Sequence, residues 1–292
     1  MKIYNYSNDD ISSLEALDLS DITATEGKLY FLPQTNEVFK SFHVNTDEYL
    51  EFKINTILSL INQSRKYKSK FLCYPNALVS ISEQICGFTM DLVNGENLQR
   101  ILNNPNISFD KKKEYLFKIG EIIIEMQNIR KYSKQTNFFL NDFHEGNIMI
   151  DELTDSPIVV DLDSSYIGNG LIAPAKLLRP FYRLAGINNK YQTIGDNGPF
   201  GIQVIPSEDT EIYCYSMMVL NFIAGDNIYL LSKPDFNKYL YYLGRLGYDE
   251  RFLMTMGLLY SEGRNINPMQ YIEDLKENPL SSYKEFRKTQ HR

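Results

Sequence analysis

The chain has 292 residues, 43% of them apolar and 23% charged, with a formal net charge of −7. That composition argues against a disordered chain and leaves room for one large core or for two lobes sharing a cleft. The acidic balance argues against a general nucleic-acid binder, because no basic excess exists to displace counterions from phosphates.

No apolar run reaches the roughly 18 residues needed to cross a membrane. The opening MKIYNYSNDD lacks the apolar stretch of a secretory signal, so a cytoplasmic location is expected. Cys73, Cys86 and Cys214 are too few and too scattered for a disulfide framework or a zinc site. His43, His144 and His291 show no paired helical spacing, which argues against a transition-metal enzyme.

Short strands broken by turn residues fill the first third of the chain. Asp21–Thr25, a turn at Glu26-Gly27-Lys28, Leu29–Pro33 and Glu37–His43 read as part of a small antiparallel sheet. Apolar residues three and four apart then predict a helix over Thr46–Gln63, entered through Asn45, Thr46 or Asp47 as cap. Strands over Asn76–Ser82 and Gln84–Val93 complete a pattern of five strands holding one helix.

After the polar stretch Asn94 to Asn97, the one plausible hinge, the periodicity becomes helical. A long helix is expected over Ser108–Ile129, with Ser108 or Asp110 as cap. Glu211–Gly225 is apolar nearly all round and should be a buried central helix. The organisation expected is an N-terminal lobe of residues 1–93 and a mainly helical C-terminal lobe of residues 94–292.

Between those two helices lies the stretch that carries chemistry. Ile148–Ile150 and Ile158–Val160 read as a hairpin joined across Asp151 to Pro157, which brings Asn147 and Asp161 to one edge. Amide and carboxylate oxygens there suit Mg²⁺, which takes one or two carboxylates plus water and substrate phosphates. Asp142, on the loop five residues before Asn147, could accept a proton from an incoming hydroxyl. Asp163 reads equally as a second metal ligand or as a cap for the following turn.

These motifs resemble the protein kinase superfamily. Asp142-Phe-His-Glu-Gly-Asn147 is similar to its catalytic loop, D-x-x-x-x-N, and Asp161-Leu-Asp163 falls where that family has D-F-G. EVFKSF, Glu37 to Phe42, resembles the third strand, and Glu211–Gly225 resembles the buried central helix. The resemblance implies an α+β, bilobal fold whose small lobe is a five-stranded antiparallel sheet with one helix. It implies ATP and Mg²⁺ as cofactors.

Site residues follow from the same resemblance. Lys40 would hold the α- and β-phosphates, Gly27 is what remains of the Gly-rich loop, and Leu29 would roof the adenine. Met90 would guard the pocket, with Asp91 to Val93 offering backbone groups to the base. Asn147 and Asp161, with Asp163 as a further candidate, would hold the metal, and Asp142 would orient the acceptor with help from His144. The helix acid that should pair with Lys40 is assigned to Glu51, with Glu48 as an alternative; Lys53 stands at that position in another alignment.

The sequence departs from the family pattern at several points. Ile22 and Ala24 replace two glycines of the phosphate loop, Leu140-Asn141 stand in place of His-Arg, and Asp163 replaces the glycine of D-F-G. His144 gives the form D-x-H-x-x-N, familiar from aminoglycoside and choline phosphotransferases. Arg179 and Arg183 could bind an acidic substrate, and Ser164, Ser165, Tyr166 and Thr193 are candidate phosphosites. The expected activity is therefore transfer of the γ-phosphate to a protein Ser/Thr hydroxyl. The alternatives are a phosphotransferase acting on a small hydroxylated metabolite and a nucleotide-binding pseudokinase.

Overall fold

A computed structural model of the chain describes residues 2–17, 27–42, 47–133, 137–168, 193–196, 202–224, 233–254 and 283–290. They fall into two compact units. The first comprises Met1–Asn97, Glu125–Asn141 and Gly146–Ala173, and the second Leu98–Ile124, Asp142–Glu145 and Pro174–Arg292.

The first unit begins with strand β1 (Ile3–Tyr6) and a short helix α1 (Asn8–Ser12). Ser7 caps α1 in a capping box: its hydroxyl accepts from the Asp10 N–H, and the Asp10 carboxylate accepts in return from the Ser7 N–H at 2.7 Å. Strands β2 (Leu29–Leu32), β3 (Glu37–Ser41), β4 (Pro75–Ile81) and β5 (Gln84–Asp91) follow, with helix α2 (Asp47–Lys66) between β3 and β4. The five strands make one sheet in the order β1-β4-β5-β3-β2, antiparallel except where β1 runs parallel to β4.

The expected strand count is thus met with a different member. Ile3–Tyr6 supplies the fifth strand, and Asp21–Thr25 lies outside the described residues, as do the helix caps expected at Asn45 and Thr46. Pairing of β1 with β4 is what makes a strand of four half-exposed residues, since an isolated strand of that length does not hold in water.

Both faces of the central strands are covered, so β3 lacks the alternation of a half-exposed strand: Glu37, Val38, Phe39 and Lys40 are all buried. Leu32, Phe39 and Val79 form a core with Ile11, Leu14 and Tyr30 packed against it, Tyr30 stacking on Phe39 at 5.6 Å. The register pairs Lys40 with Leu29 on β2 and with Phe88 on β5, which sets those three side chains on the other face. Helix α2 buries Phe52, Ile57, Leu60 and Ile61.

A second sheet in this unit joins β6 (Gly95–Asn97), β8 (Ile148–Asp151) and β9 (Ser156–Val159) in the order β6-β8-β9. The 3-10 turn Glu145–Asn147 leads into β8, and β7 (Phe138–Phe139) pairs with β10 (Tyr166–Ile167). The stretch expected as a hinge is therefore tied down: Gly95, Glu96 and Asn97 pair with Asp151, Ile150 and Met149, and the Asn94 carbonyl accepts from the Glu152 N–H at 2.8 Å. Only glycine fits at residue 95, where a Cβ would stand 1.9 Å from the Ile150 carbonyl oxygen.

The second unit is mainly helical. It contains α3 (Leu98–Asn103), the first part of α4 (Phe109–Tyr132), α5 (Glu208–Ala224), α6 (Lys233–Arg245) and α7 (Tyr283–Gln290), with a hairpin of β11 (Thr193–Asp196) and β12 (Ile202–Val204). Ser108 caps α4 by accepting from the Lys111 N–H at 3.2 Å. Helix α5 is the buried central helix the sequence predicts, and the Tyr215 hydroxyl donates to the Leu116 carbonyl of α4 at 2.7 Å. Among the described residues no helix is long and apolar enough to cross a membrane.

Candidate active site

Strand β3 carries Lys40 inward, where its side chain is 7% exposed. A buried ammonium persists only with carboxylates beside it. Two arrive from the segment after β9: Lys40 Nζ donates to Asp161 Oδ1 at 2.7 Å and to Asp163 Oδ1 at 3.2 Å. Burial works against the charged lysine, but the two carboxylates outweigh it and hold its pKa above the ordinary value.

Asp163 is shared between two lysines. Its other oxygen, Oδ2, accepts from Lys53 Nζ at 3.1 Å, and Lys53 also reaches Ser164 Oγ at 3.5 Å. Burial would raise the Asp163 pKa, yet Lys40 and Lys53 together hold it far below the usual carboxylate range. Among the described residues Lys40 is the cation that contacts Asp161. Burial and the neighbouring Asp163 carboxylate push it up to about 7.

This geometry corrects one expectation. Glu51 is exposed and does not pair with Lys40; helix α2 instead turns Lys53 inward, and the carboxylates come from the loop after β9. Asp163, expected as a metal ligand or a cap, accepts from a lysine on each oxygen, and its side chain is 2% exposed. Ser164 and Ser165 are buried too, at 7% and 1%, which takes them out of reach as phosphosites in this state.

The remaining metal candidates, Asn147 and Asp161, carry the oxygen donors that a hard cation takes. The Asn147 carbonyl accepts from the Val160 N–H at 3.0 Å, so the hairpin holds Asn147 against the residue that precedes Asp161. Asp161 keeps 31% of its side-chain exposure and is short of positive charge at neutral pH. Among the described residues no group of three His, Cys, Asp or Glu side chains is placed to hold a metal; a magnesium site needs only one or two protein carboxylates.

In the segment expected as a catalytic loop, Asp142 sits at φ +59°, in the left-handed region that Asp and Asn tolerate better than most residues. Backbone of this kind is held by its surroundings, and here Leu140 and Phe143 on either side are both 2% exposed. His144 Nε2 lies 3.6 Å from Asp142 Oδ2, with both side chains open to solvent. In the first unit, buried Asn97 donates from Nδ2 to the Gly146 carbonyl at 2.7 Å and so fixes the turn that presents Asn147. Neither Asn97 nor the inward placement of Lys53 was assigned a role from the sequence.

The residues expected around the nucleotide lie on the same sheet as Lys40. Leu29 pairs with Lys40 across β2 and β3, and buried Met90 pairs with Val38. The Asp91 carbonyl already accepts from Cys73 Sγ at 3.3 Å, and its carboxylate from Asn76 Nδ2 at 2.7 Å. Val93 follows the end of β5 and is half-buried. Gly27, at φ +97°, runs so close to β3 that a Cβ would stand 1.9 Å from the Ser41 carbonyl oxygen. Ile22, Ala24, Arg179 and Arg183 lie outside the described residues.

No family model matches the sequence, and no curated protein does. Among solved structures the chain is similar to the apo form of a pseudokinase, with a TM-score of 0.54 and 11% identity over 94% of this chain and 98% of that one. The chain has a protein kinase-like α+β fold. At that identity the likeness speaks to the fold alone.

Proposed function

We propose that the chain binds Mg-ATP and transfers its γ-phosphate to a serine or threonine hydroxyl of a protein. The observation that carries the reading is the buried Lys40 ammonium held 2.7 Å from Asp161, beside the hairpin that fixes Asn147. Lysine has three N–H donors, and two are committed to Asp161 and Asp163, so one remains for a phosphate oxygen.

In this reading Lys40 binds the α- and β-phosphates, while Leu29, Met90 and the Asp91 to Val93 backbone hold the adenine. Asn147 and Asp161 would hold Mg²⁺, which would supply neutralisation of phosphate charge. Asp142 orients the acceptor hydroxyl and takes its proton as the oxygen forms its bond to the γ-phosphorus and ADP leaves. His144 orients the Asp142 carboxylate.

The D-x-H-x-x-N form that His144 gives the loop, similar to that of aminoglycoside and choline phosphotransferases, favours a second reading, in which the acceptor is a small hydroxylated metabolite. Transfer from γ-labelled Mg-ATP to the chain and to a cell lysate separates the two, with Asp142→Asn as control. Asparagine tolerates the left-handed backbone at that position, so the variant should fold and lose transfer. Label on protein that vanishes in Asp142→Asn supports the first reading; label only in small molecules supports the second. Binding of Mg-ATP without label anywhere would refute both and leave a nucleotide-binding pseudokinase.

A further inference from the structure

Lys53 is 2% exposed, a depth at which a lysine needs a counter-charge. Its ammonium lies 3.1 Å from Asp163 Oδ2, 3.5 Å from Ser164 Oγ and 5.3 Å from the Tyr49 ring centroid. Asp163 Oδ1 lies 3.2 Å from Lys40 Nζ. One buried carboxylate thus bridges two ammonium groups, one on each oxygen. The cluster sets two lysines against two aspartates, with Asp163 between the lysines.

Asp163 and an incoming phosphate compete for Lys40. If Lys40 alone had to neutralise Asp163, its ammonium would be drawn away from Asp161 and from the third donor direction left for phosphate. Lys53 removes that demand by balancing Asp163 from the other side. We propose that Lys53 is a positioning residue: by neutralising Asp163 from helix α2, it leaves the Lys40 ammonium aimed at Asp161 and at the polyphosphate of the nucleotide. The inference rests on the nucleotide-binding reading above and deepens it. It makes phosphate recognition depend on a lysine that touches no phosphate.

The test is titration calorimetry with a Mg-complexed non-hydrolysable ATP analogue and, separately, with adenosine. The chains compared are the parent, Lys53→Met, and the double variant Lys53→Met/Asp163→Asn. Lys53→Met should bind the triphosphate about ten-fold more weakly, the cost of misdirecting one charge-assisted hydrogen bond, and adenosine as the parent does. The double variant, which removes the competing carboxylate as well, should recover triphosphate affinity to within about three-fold of the parent.

A lysine that merely packs helix α2 would weaken both ligands alike, and its loss would not be rescued at Asp163. Unchanged triphosphate affinity in Lys53→Met overturns the inference while leaving the nucleotide-binding reading intact. So does a double variant bound more weakly than the single one. Should Lys53→Met fail to fold, the double variant decides: it lacks the unpaired buried charge, and weak triphosphate binding by the folded double overturns the inference. A parent chain that binds neither ligand refutes the nucleotide-binding reading, and the inference falls with it.

Discussion

If Asp161 holds Mg²⁺ as proposed, magnesium affinity should rise about ten-fold between pH 6 and pH 8, because a proton and the metal would compete for its carboxylate. Burial and the adjacent Asp163 carboxylate push Asp161 up to about 7. At that value roughly nine-tenths of the group is protonated at pH 6 and nine-tenths ionised at pH 8. Affinity scales with the ionised fraction, so the gain is about 1.4 kcal/mol. Asp163 is held far below this range and Lys40 above it, so neither changes charge across the window.

In the metal-free chain the same group acts on stability with the opposite sign. Its folded pKa stands above the ordinary carboxylate value, so its stabilising contribution is full below about pH 4 and is lost as pH rises through 7. Calorimetric titration of Mg²⁺ at pH 6, 7 and 8, for the parent and Asp161→Asn, reads the effect directly. Equal affinity at pH 6 and 8 in the parent would refute the reasoning. A ten-fold rise that persists in Asp161→Asn would place the titrating group elsewhere.

Three further substitutions probe the scaffold around this centre. Asn97→Ala removes the donor that holds the Gly146 carbonyl at 2.7 Å and should cost about 1–3 kcal/mol, read as a drop in the thermal midpoint. Gly95→Ala places a Cβ 1.9 Å from the Ile150 carbonyl, so β6 must part from β8; its midpoint should fall further than that of Asn97→Ala, and an equal or smaller fall would show that the sheet yields freely. Glu51→Gln, on the exposed face of α2, should change stability by no more than about 0.5 kcal/mol and leave triphosphate affinity unchanged. A ten-fold loss of affinity there would restore Glu51 as the partner of Lys40.

What the sequence made legible is what local periodicity governs. Helices α2, α4 and α5 announce themselves by apolar residues three and four apart, and the hairpin of β8 and β9 by two short apolar runs around a polar turn. Strand β1 was not legible in this way. Its residues IYNY are half-exposed, and only parallel pairing with β4, more than seventy positions on, makes them a strand.

The rotation of α2 was hidden for a different reason. Glu51 and Lys53, two positions apart on a helix, point to nearly opposite sides, and neither periodicity nor spacing says which side meets Lys40. The deciding contact joins Lys53 to Asp163 across 110 positions. Two departures from the kinase pattern stand there: a lysine where an acid is expected on the helix, and an aspartate where a glycine follows D-L. Taken singly, each counts against a phosphate-binding centre, one by adding a buried cation and the other by adding a buried anion. Folded, they lie 3.1 Å apart and cancel, and Lys40 still receives its carboxylates, now from the loop after β9. The charge around Lys40 is therefore a property of the pair, which a position-by-position comparison with the motif does not reveal.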